Sequence, residues 1–395
     1  MKLDWSDADL AFRVEVRAFL TAELTAELRA AGSLMTSVYA DPQASFEWQR
    51  ILHAKGWVAP AWPVEHGGCA WTVTQRYIWA RERIAAGAPP LSPMGLQMCG
   101  PALIGHGTLE QQTYFLPRML SGEHFWCQGY SEAEAGSDLA ALQMRADDDG
   151  DHLVCTGTKI WITHANRANW MFCLVRTSQA DRPQRGITFL LIDMTTPGIT
   201  ITPIVSPAGE AIQNEVAFDH VHVPKSNVVG KIGAGWTVAK YLLEFERGGS
   251  AYALELAARL QEIEARANGP VLRSRLAMAR TRIMALEMFE LQVMARVASG
   301  GSPGTSSSIM KILGTELAQD LTEMALEVAG PYALAYQPQA GCPGGPIHFT
   351  HGDDRVGSVA AALAPLRYFN QRAGTIYAGS NEIQRNILAK SALGL

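Results

Sequence analysis

The amino-acid sequence predicts an α+β protein built from three consecutive parts. These are a helical N-terminal domain at 1–124, a middle β domain at 125–234 and a C-terminal helical domain of the four-helix type at 235–395. Apolar residues recur at helical spacing in the first and last parts. Between them, short β-branched runs are separated by turn residues, as in an antiparallel barrel or sandwich. Strands and helices do not alternate, which argues against a Rossmann core.

The N-terminal part begins with a clear helix signal. Ser6 with Asp9 three residues later resembles a capping box, and Phe12, Val16 and Leu20 follow at helical spacing. Breaks rich in Pro and Gly, such as 59–63 and 66–68, separate the further helices.

The middle part carries six candidate strands. They are 152–156, 159–163, 171–175, 187–192, 199–204 and 216–221. The glycine run Gly230–Gly235 that follows is not the dinucleotide-binding fingerprint and precedes no βαβ unit, so it is interpreted as a loop joining two domains.

Composition excludes several classes of function. With 395 residues the chain is long enough for two or three domains, and a net charge of -5 without a Lys/Arg block argues against nucleic acid or an anionic membrane as partner. No apolar run approaches the roughly 18 residues of a membrane-spanning helix, and no secretion signal is visible, so a cytoplasmic location is expected. The six cysteines form no C-x-x-C pair, which predicts free thiols and no metal site.

Glu246 is the most informative single residue. The segment 236–247 is predicted to be helical, and on it Leu242 lies one turn before Glu246, with no Lys or Arg at the neighbouring spacings. A carboxylate on an apolar face without a cation has a raised pKa, which suits a general base. Glu244, by contrast, has Arg247 three residues later and is interpreted as a solvated pair. The alternative is that Glu246 is a surface residue on a misjudged helix face.

Two segments of the middle part suit a flat ligand. Strict alternation in the strand 159–163 places Trp161 and Thr163 on one face, so that a ring covers the ligand and a hydroxyl bonds its edge. The alternative is a core Trp with a solvent-facing Thr. The loop Ser131–Asp138 adds small residues that allow close backbone approach, and Ser131 and Ser137 add hydroxyl groups.

The third candidate segment is Gly374–Arg385 near the C-terminus. Gly379 interrupts the pattern before a new helix that Ser380 or Asn381 is placed to cap. A helix N-terminus preceded by small residues offers free N–H groups to a carbonyl or phosphate oxygen.

Three motifs together resemble the acyl-CoA dehydrogenase family over essentially the whole chain. The family pattern S/T-E-P-x-A-G-S-D resembles Ser131–Asp138, with Ala133 in place of the usual proline. The flavin motif W-I/V-T/S resembles Trp161–Thr163, and I-Y-x-G-S/T-x-x-I-Q-R resembles Ile376–Arg385.

The resemblance implies FAD as cofactor and an acyl-CoA thioester as substrate. A base removes the α proton while hydride leaves the β carbon for flavin N5, and a cofactor hydroxyl and one backbone N–H, here that of Ala378, polarise the thioester carbonyl. Electron-transfer flavoprotein is the implied acceptor. The implied flavin contacts are Gln128, Ser131, Ser137, Trp161, Thr163, Ser380, Asn381 and Glu382. The implied substrate contacts are Ser137, Glu244, Arg247 and Gly379.

The position of the base identifies the subtype. Many family members carry the catalytic glutamate at the position of Ala378, where an alanine cannot accept a proton. Isovaleryl-type and long-chain-type members place it on a helix just before an arginine, which matches Glu246–Arg247 here.

A second departure concerns the adenosine half of the cofactor. Homotetrameric members use an R-x-x-F-G loop and a Q-x-x-G-G segment from a neighbouring subunit, and the matching regions 265–273 and 327–332 carry neither pattern. The resemblance is therefore to the catalytic subunit of an α2β2 heterotetramer in which a second, related subunit completes the FAD site. A homo-oligomer is the alternative.

Substrate size and electron acceptor are less constrained. Gly248 and Gly249 loosen the helix beside the base, and Met94, Gly95, Met98 and Gly100 are small or flexible, which favours a bulky, steroid-like or branched acyl group. The alternative is that these glycines serve helix packing. Two other functions stay open: an acyl-CoA oxidase using O2, and a non-catalytic scaffold subunit of a heteromeric dehydrogenase.

Overall fold

The computed structural model describes residues 5–37, 42–248, 252–335, 337 and 356–395, with the backbone alone described at 244–248. The order of elements is helices, then a sheet, then helices, so the predicted α+β class is confirmed.

Six α-helices and one π-helix precede the sheet in the described part of the chain. They are α1 (Asp7–Glu23), α2 (Ala26–Ser33), α3 (Pro42–Lys55), α4 (Val73–Ala86), the π-helix (Met94–Cys99), α5 (Gly100–His106) and α6 (Leu109–Ser121). The predicted capping box of α1 is present, because the Ser6 hydroxyl accepts from the backbone N–H of Asp9 and the Asp9 carboxylate accepts from that of Ser6. The π-helix was not predicted; such distortions are frequent at functional sites.

Eight strands form one mixed sheet. They are β1 (Trp126–Gly129), β2 (Arg145–Asp149), β3 (His152–Thr163), β4 (Trp170–Arg176), β5 (Ile187–Asp193), β6 (Ile199–Ile204), β7 (Gln213–Pro224) and β8 (Val228–Val229). Their order is β6-β7-β3-β2-β4-β5-β8, and β1 pairs with β4. Because β1 and β2 both run parallel to β4, the prediction of a purely antiparallel domain is wrong in this respect.

The predicted strands 152–156 and 159–163 are one continuous strand. Its register against β7 shifts between Cys155 and Gly157, where the sequence pattern suggested a turn. Gly157 has φ +149, and a Cβ there would lie 2.9 Å from the Cα of Met144. The glycine therefore allows an irregularity within the strand and does not end it.

The centre of the sheet is buried on both faces. On β4, Phe172 and Leu174 join the core formed with the N-terminal helices, whereas Met171 and Cys173 face a second core inside the middle region. Burial on both faces explains why the sequences of β4 and β5 are nearly continuous apolar runs.

Six helices follow the sheet in the described residues. They are α7 (Gly235–Gly248), α8 (Tyr252–Glu264), α9 (Pro270–Ala298), α10 (Ser306–Ala329), α11 (Val359–Gln371) and α12 (Asn381–Ala392). α10 is central, since it contacts α8, α9, α11 and α12. α8, α9 and α10 share a core that includes Leu260, Ile283 and Leu317.

A buried carboxylate joins the three parts of the chain. Glu210, in the loop before β7, is 1% exposed, and its carboxylate accepts hydrogen bonds from the hydroxyl of Thr36 and, at 2.9 Å, from Asn370 on α11. Burial raises the pKa of Glu210 above its ordinary value. Arg367 on the same helix donates to the carbonyl of Met35 at 2.8 Å. These bonds hold the N-terminal helices, the middle region and the C-terminal helices in one arrangement.

A buried ion pair fixes the loop that follows β1. Lys159 on β3 is fully buried, and its Nζ lies 2.8 Å from Oε1 of Glu132. The Glu132 carboxylate also accepts from the backbone N–H groups of Gln143 at 2.6 Å and Met144 at 2.9 Å. Lys159 donates in turn to the carbonyl of Tyr130 at 3.1 Å. The loop at 131–138 therefore has a fixed start relative to β3.

Lys159→Met is expected to destabilise the protein by about 3–5 kcal/mol, because it leaves the Glu132 carboxylate buried without its cation. Urea unfolding followed by tryptophan fluorescence measures the effect. The double variant K159M/E132Q keeps no buried charge and is expected to lose less than K159M alone. A double variant as unstable as K159M would show that the ion pair is not the cause.

A second buried carboxylate lies in the C-terminal bundle. Glu290 on α9 is 3% exposed, and its Oε1 accepts from the backbone N–H of Ala253, in the first turn of α8, at 3.2 Å. Burial raises the pKa of Glu290 from 4.5 to about 7, and the charges of Glu287 and Glu255 add to the shift. The folded state therefore holds the proton more tightly than the unfolded chain does.

This raised pKa predicts a pH-dependent contribution to stability. The contribution is fully present below about pH 4.5 and is lost as pH rises through about 7, with a total on the order of 3 kcal/mol. Glu290→Gln removes the titration but keeps an acceptor for Ala253. The melting temperature of E290Q relative to the wild type should therefore rise between pH 5 and pH 8. The surface substitution Glu65→Gln is the control, and an equal profile for both variants would contradict the prediction.

Candidate active site

Trp161 lies on an exposed, strained position of β3. The register of β3 against β7 shifts between Lys159 and Ile162, and Trp161 has φ +62 and is 60% exposed. The prediction of strict alternation is wrong here, because Lys159, two residues earlier, is fully buried. The extra residue of the bulge turns Trp161 outward. A large exposed ring on strained backbone is suited to stacking on a flat ligand.

Thr163 ends the same strand beside the π-helix. It is half-buried and lines a crevice with Met94 of the π-helix and with Phe125, Trp126 and His164. The π-helix also contacts α7 and β1. The end of β3, the start of β1 and the π-helix therefore meet at one crevice.

The loop Ser131–Asp138 lies against β3. The carbonyl of Ser131 accepts from the backbone N–H of Ile160 at 2.9 Å, one residue before Trp161. Glu132 and Ala135 close a tight turn through two reciprocal backbone bonds of 3.1 Å. Ser131 is half-buried and Ser137 is exposed. The structure thus places Ser131 beside the segment of β3 that carries Trp161.

Gln128 lies on β1, where it pairs with Phe172 of β4 and is half-buried. β1 also contacts β3. The flavin contacts predicted for Gln128, Ser131, Ser137, Trp161 and Thr163 therefore start from neighbouring strands and loops of one sheet. They stay predictions.

The turn at Ala378 presents a free backbone donor. Ala378 and Gly379 have φ +55 and φ +78. The N–H groups of Ile376 and Tyr377 both donate to the carbonyl of Ala373, at 2.9 Å and 3.1 Å. Within the part of the chain that the structure describes, the N–H of Ala378 has no acceptor. An unused donor on rigid backbone is what a carbonyl-polarising site needs.

Ser380 caps α12, one of the two possibilities that the sequence left open. Its hydroxyl accepts from the backbone N–H of Ile383 at 3.4 Å. The backbone amide and the Ser380 hydroxyl hold the pKa of Glu382 below its ordinary value. An ionised Glu382 in the first turn repels an anion, so this helix N-terminus suits a neutral carbonyl better than a phosphate.

The side chain of Asn381 joins two helices, and the cofactor contact predicted for this residue stays a prediction. Asn381 is 2% exposed, and its side chain faces α10. Its Oδ1 accepts from Lys311 at 3.0 Å, and its Nδ2 donates to Thr315 at 3.2 Å and to Glu316 at 3.4 Å. Both polar atoms are therefore used in joining α12 to α10.

The helix predicted at 236–247 is confirmed as part of α7. Val238 and Leu242 on this helix belong to the core that also includes Phe189 of β5. The side chains of Glu244, Glu246 and Arg247 lie outside the described residues. The roles of Glu246 as base and of Glu244, Arg247 and Gly379 as substrate contacts stay predictions.

Two glycines that were predicted to widen the pocket are packing positions. A Cβ on Gly95 would lie 2.9 Å from Cδ1 of Trp126, and one on Gly100 would lie 2.1 Å from Cζ2 of Trp62. Met94 and Met98 are buried. The alternative that the glycines serve close packing is correct for Gly95 and Gly100, and Gly249 lies outside the described residues.

Several residues that support the site were missed from the sequence. They are Glu132 and Lys159, which fix the loop after β1, Glu210 at the junction of the three parts, and Gln384 with Ser308 behind the Ala378 turn. Their partners are distant in sequence, so spacing alone carries no signal. Two clues were present: the polar Lys159 lies inside an apolar segment, and Glu132 and Gln384 are matching positions of the family motifs.

The described residues hold no group of three or more His, Cys, Asp or Glu side chains placed to bind a metal ion. The five cysteines within them are free thiols, and Cys342 lies outside them. None of the described helices combines the length and the apolarity that crossing a bilayer demands.

Three family models together match nearly the entire chain. They represent the N-terminal, middle and C-terminal domains of acyl-CoA dehydrogenases and match residues 6–123, 127–221 and 233–393. The chain is 36% identical to acyl-CoA dehydrogenase IpdE1 of Mycobacterium tuberculosis, with 97% of each chain covered.

Solved structures agree over the whole length. The Tcur3481–Tcur3483 steroid ACAD has a TM-score of 0.82 at 26% identity, with 100% of this chain and 99% of that chain covered. The ChsE4–ChsE5 complex from Mycobacterium tuberculosis has a TM-score of 0.81 at 27% identity, with the same coverage. On the combined evidence of motifs, fold and relatives, the chain belongs to the acyl-CoA dehydrogenase family of oxidoreductases.

Proposed function

We propose that the protein converts an acyl-CoA thioester to its trans-2-enoyl-CoA, with FAD as the hydride acceptor. The observation that carries the proposal is the Ala378 turn, whose N–H has no acceptor within the described residues. An α C–H becomes acidic enough for proton removal only when the adjacent carbonyl is polarised. A fixed N–H donor supplies that polarisation without reorganising during the reaction.

Glu246 is the proposed base. Position 246 follows Leu242 by one helical turn, and Leu242 is fully buried. This supports the sequence argument that Glu246 belongs to the apolar stripe of α7, where a carboxylate has a raised affinity for a proton. Ala378, at the alternative base position of the family, has no group that accepts one.

The described residues fit a flavin. Trp161 offers an exposed ring to cover its flat face, Thr163 a hydroxyl for its edge, and Gln128, Ser131 and Ser137 further polar contacts. When bound, the flavin supplies the acceptor for the hydride that leaves the β carbon. The protein's own part is to hold the thioester carbonyl on the Ala378 N–H and to take the α proton at Glu246.

The adenosine half of FAD is proposed to bind with help from a second subunit. Arg275 and Arg282, on the first half of α9, are paired with Glu327 at 2.5 Å and with Asp320 at 2.6 Å. Arg280 is paired with Glu264. These cations are neutralised within the chain and do not supply a pyrophosphate site. The similar structures named as complexes of two proteins support a heteromer of the α2β2 type.

The proposed substrate carries a bulky, steroid-like or branched acyl group. Support comes from the steroid ACAD to which the chain is similar over its whole length. Electron-transfer flavoprotein is the proposed acceptor. An oxidase would instead reoxidise its reduced flavin with O2 as fast as with a carrier, which a comparison of aerobic and anaerobic turnover decides.

Glu246→Gln should lower the rate of flavin bleaching by acyl-CoA about 10²–10⁴-fold, because the base can no longer accept the α proton. Stopped-flow absorbance of the co-expressed complex measures bleaching, and equilibrium titration checks that acyl-CoA still binds. The surface change Glu23→Gln is the matched control. Bleaching at the wild-type rate in E246Q would exclude Glu246 as the base and reopen the scaffold alternative.

Flavin content should depend on the partner. The chain purified alone is expected to retain well under one FAD per subunit, because the α9 arginines Arg275, Arg280 and Arg282 already have carboxylate partners within the chain. Co-expression with a second, related acyl-CoA dehydrogenase-like subunit should raise the content to one FAD per heterodimer. Absorbance after gel filtration measures the ratio, and full occupancy of the lone chain would refute the need for a second subunit.

A further inference from the structure

We infer that Gln384 and Ser308 are positioning residues for the carbonyl-polarising N–H of Ala378. The inference rests on the proposed function and extends it to two side chains that are buried behind the Ala378 turn. A backbone N–H cannot be removed by substitution, so the groups that hold its peptide are the accessible way to alter it.

Gln384 connects α12 back to the turn that precedes it. Its side chain is fully buried, and Nε2 donates to the carbonyl of Gly379 at 3.1 Å and to that of Ala378 at 3.5 Å. Its backbone N–H donates to the carbonyl of Ser380 at 2.9 Å. One side chain therefore restrains the two peptide groups that directly follow the Ala378 N–H.

Ser308 fixes the orientation of the Gln384 side-chain amide. It lies in the first turn of α10, is 1% exposed, and donates from Oγ to Oε1 of Gln384 at 2.8 Å. Carbonyl oxygens only accept hydrogen bonds, so Nε2 has to face the turn and Oε1 has to face Ser308. Without the Ser308 hydroxyl, the Gln384 amide loses the hydrogen bond that keeps Oε1 turned away from the Ala378 turn.

The turn needs such a restraint. Ala378 is an L-residue in the left-handed region, which costs roughly 1–2 kcal/mol. The next residue is Gly379, and glycine has the greatest backbone freedom of all residue types. Without the hydrogen bonds of Gln384 and Ser308, the backbone at Ala378 can relax. Its N–H would then no longer point at the thioester oxygen. A donor misplaced by about 1 Å is enough to lose most of its catalytic effect.

The alternative is that Gln384 and Ser308 only hold α12 against α10 and do not orient the Ala378 turn. The chain offers a matched control for that role. Thr315, two turns further along α10, is 3% exposed and joins α12 through Asn381, without touching the Ala378 turn. Thr315→Val removes its hydroxyl at nearly constant volume, as Ser308→Ala removes that of Ser308.

The test compares Gln384→Met, Ser308→Ala and Thr315→Val in the flavin-loaded, co-expressed complex. The probe is the 2-enoyl-CoA product of whichever acyl-CoA bleaches the flavin fastest, labelled with ¹³C at the thioester carbonyl and read by infrared difference spectroscopy. Q384M should return the carbonyl band towards its position in water and lower kcat about 10–100-fold with little change in KM, because removing an oxyanion donor costs about 10²–10³-fold. S308A should give a smaller change in the same direction.

The control outcomes separate the possibilities. T315V should lower the melting temperature but keep the wild-type band, and E246Q should keep the band while losing turnover. A wild-type band in Q384M, or an equal band shift in T315V, would overturn the positioning role. Turnover retained in E246Q would overturn the proposed base and leave the band comparison valid.

Discussion

The candidate site depends on two L-residues held in left-handed backbone. Trp161 has φ +62 and Ala378 has φ +55. Each costs roughly 1–2 kcal/mol and persists only where the surroundings determine it fully. Behind each lies a buried polar group that makes several bonds: Lys159 with Glu132 in one case, Gln384 with Ser308 in the other. Both strained residues, Trp161 and Ala378, thus lie within family motifs. The side chains that stabilise them are not themselves proposed to react.

The two supports differ in charge, and the difference suits their places. The ion pair lies in the sheet region. The Glu132 carboxylate is balanced there by Lys159 and also accepts hydrogen bonds from two backbone N–H groups. The clamp behind Ala378 is neutral, an amide and a hydroxyl. Its Nε2 bonds the carbonyl oxygens of Ala378 and Gly379, so the N–H of Ala378 is left without an acceptor in the described residues.

The sequence predicted what depends on local patterns. Helix periodicity located α7, and the Ser6 capping box was correct because its partners are three residues apart. The bulge at Trp161 could not be predicted, since a period of two shows a strand but not where an extra residue enters it. Gly95 packs on Trp126 and Gln384 bonds Ser308, 76 residues away. Such contacts exist only after folding. Gly95 was therefore predicted to make room for a bulky acyl group, and the contact of Gln384 with Ser308 was not predicted.

The charges around α12 and α9 bear on the proposal that this chain holds only part of the cofactor. Glu382 in the first turn keeps a negative charge at the helix N-terminus, which disfavours a phosphate there and leaves the turn to a neutral carbonyl. The α9 arginines Arg275 and Arg282 are paired with acids of α10. In the proposed function the Ala378 N–H is directed at an uncharged thioester, while Arg275 and Arg282 keep carboxylate partners of their own. If FAD binds as proposed, a second subunit that supplies the donors for its pyrophosphate would couple assembly to cofactor binding, because FAD held by both chains stabilises only the assembled form.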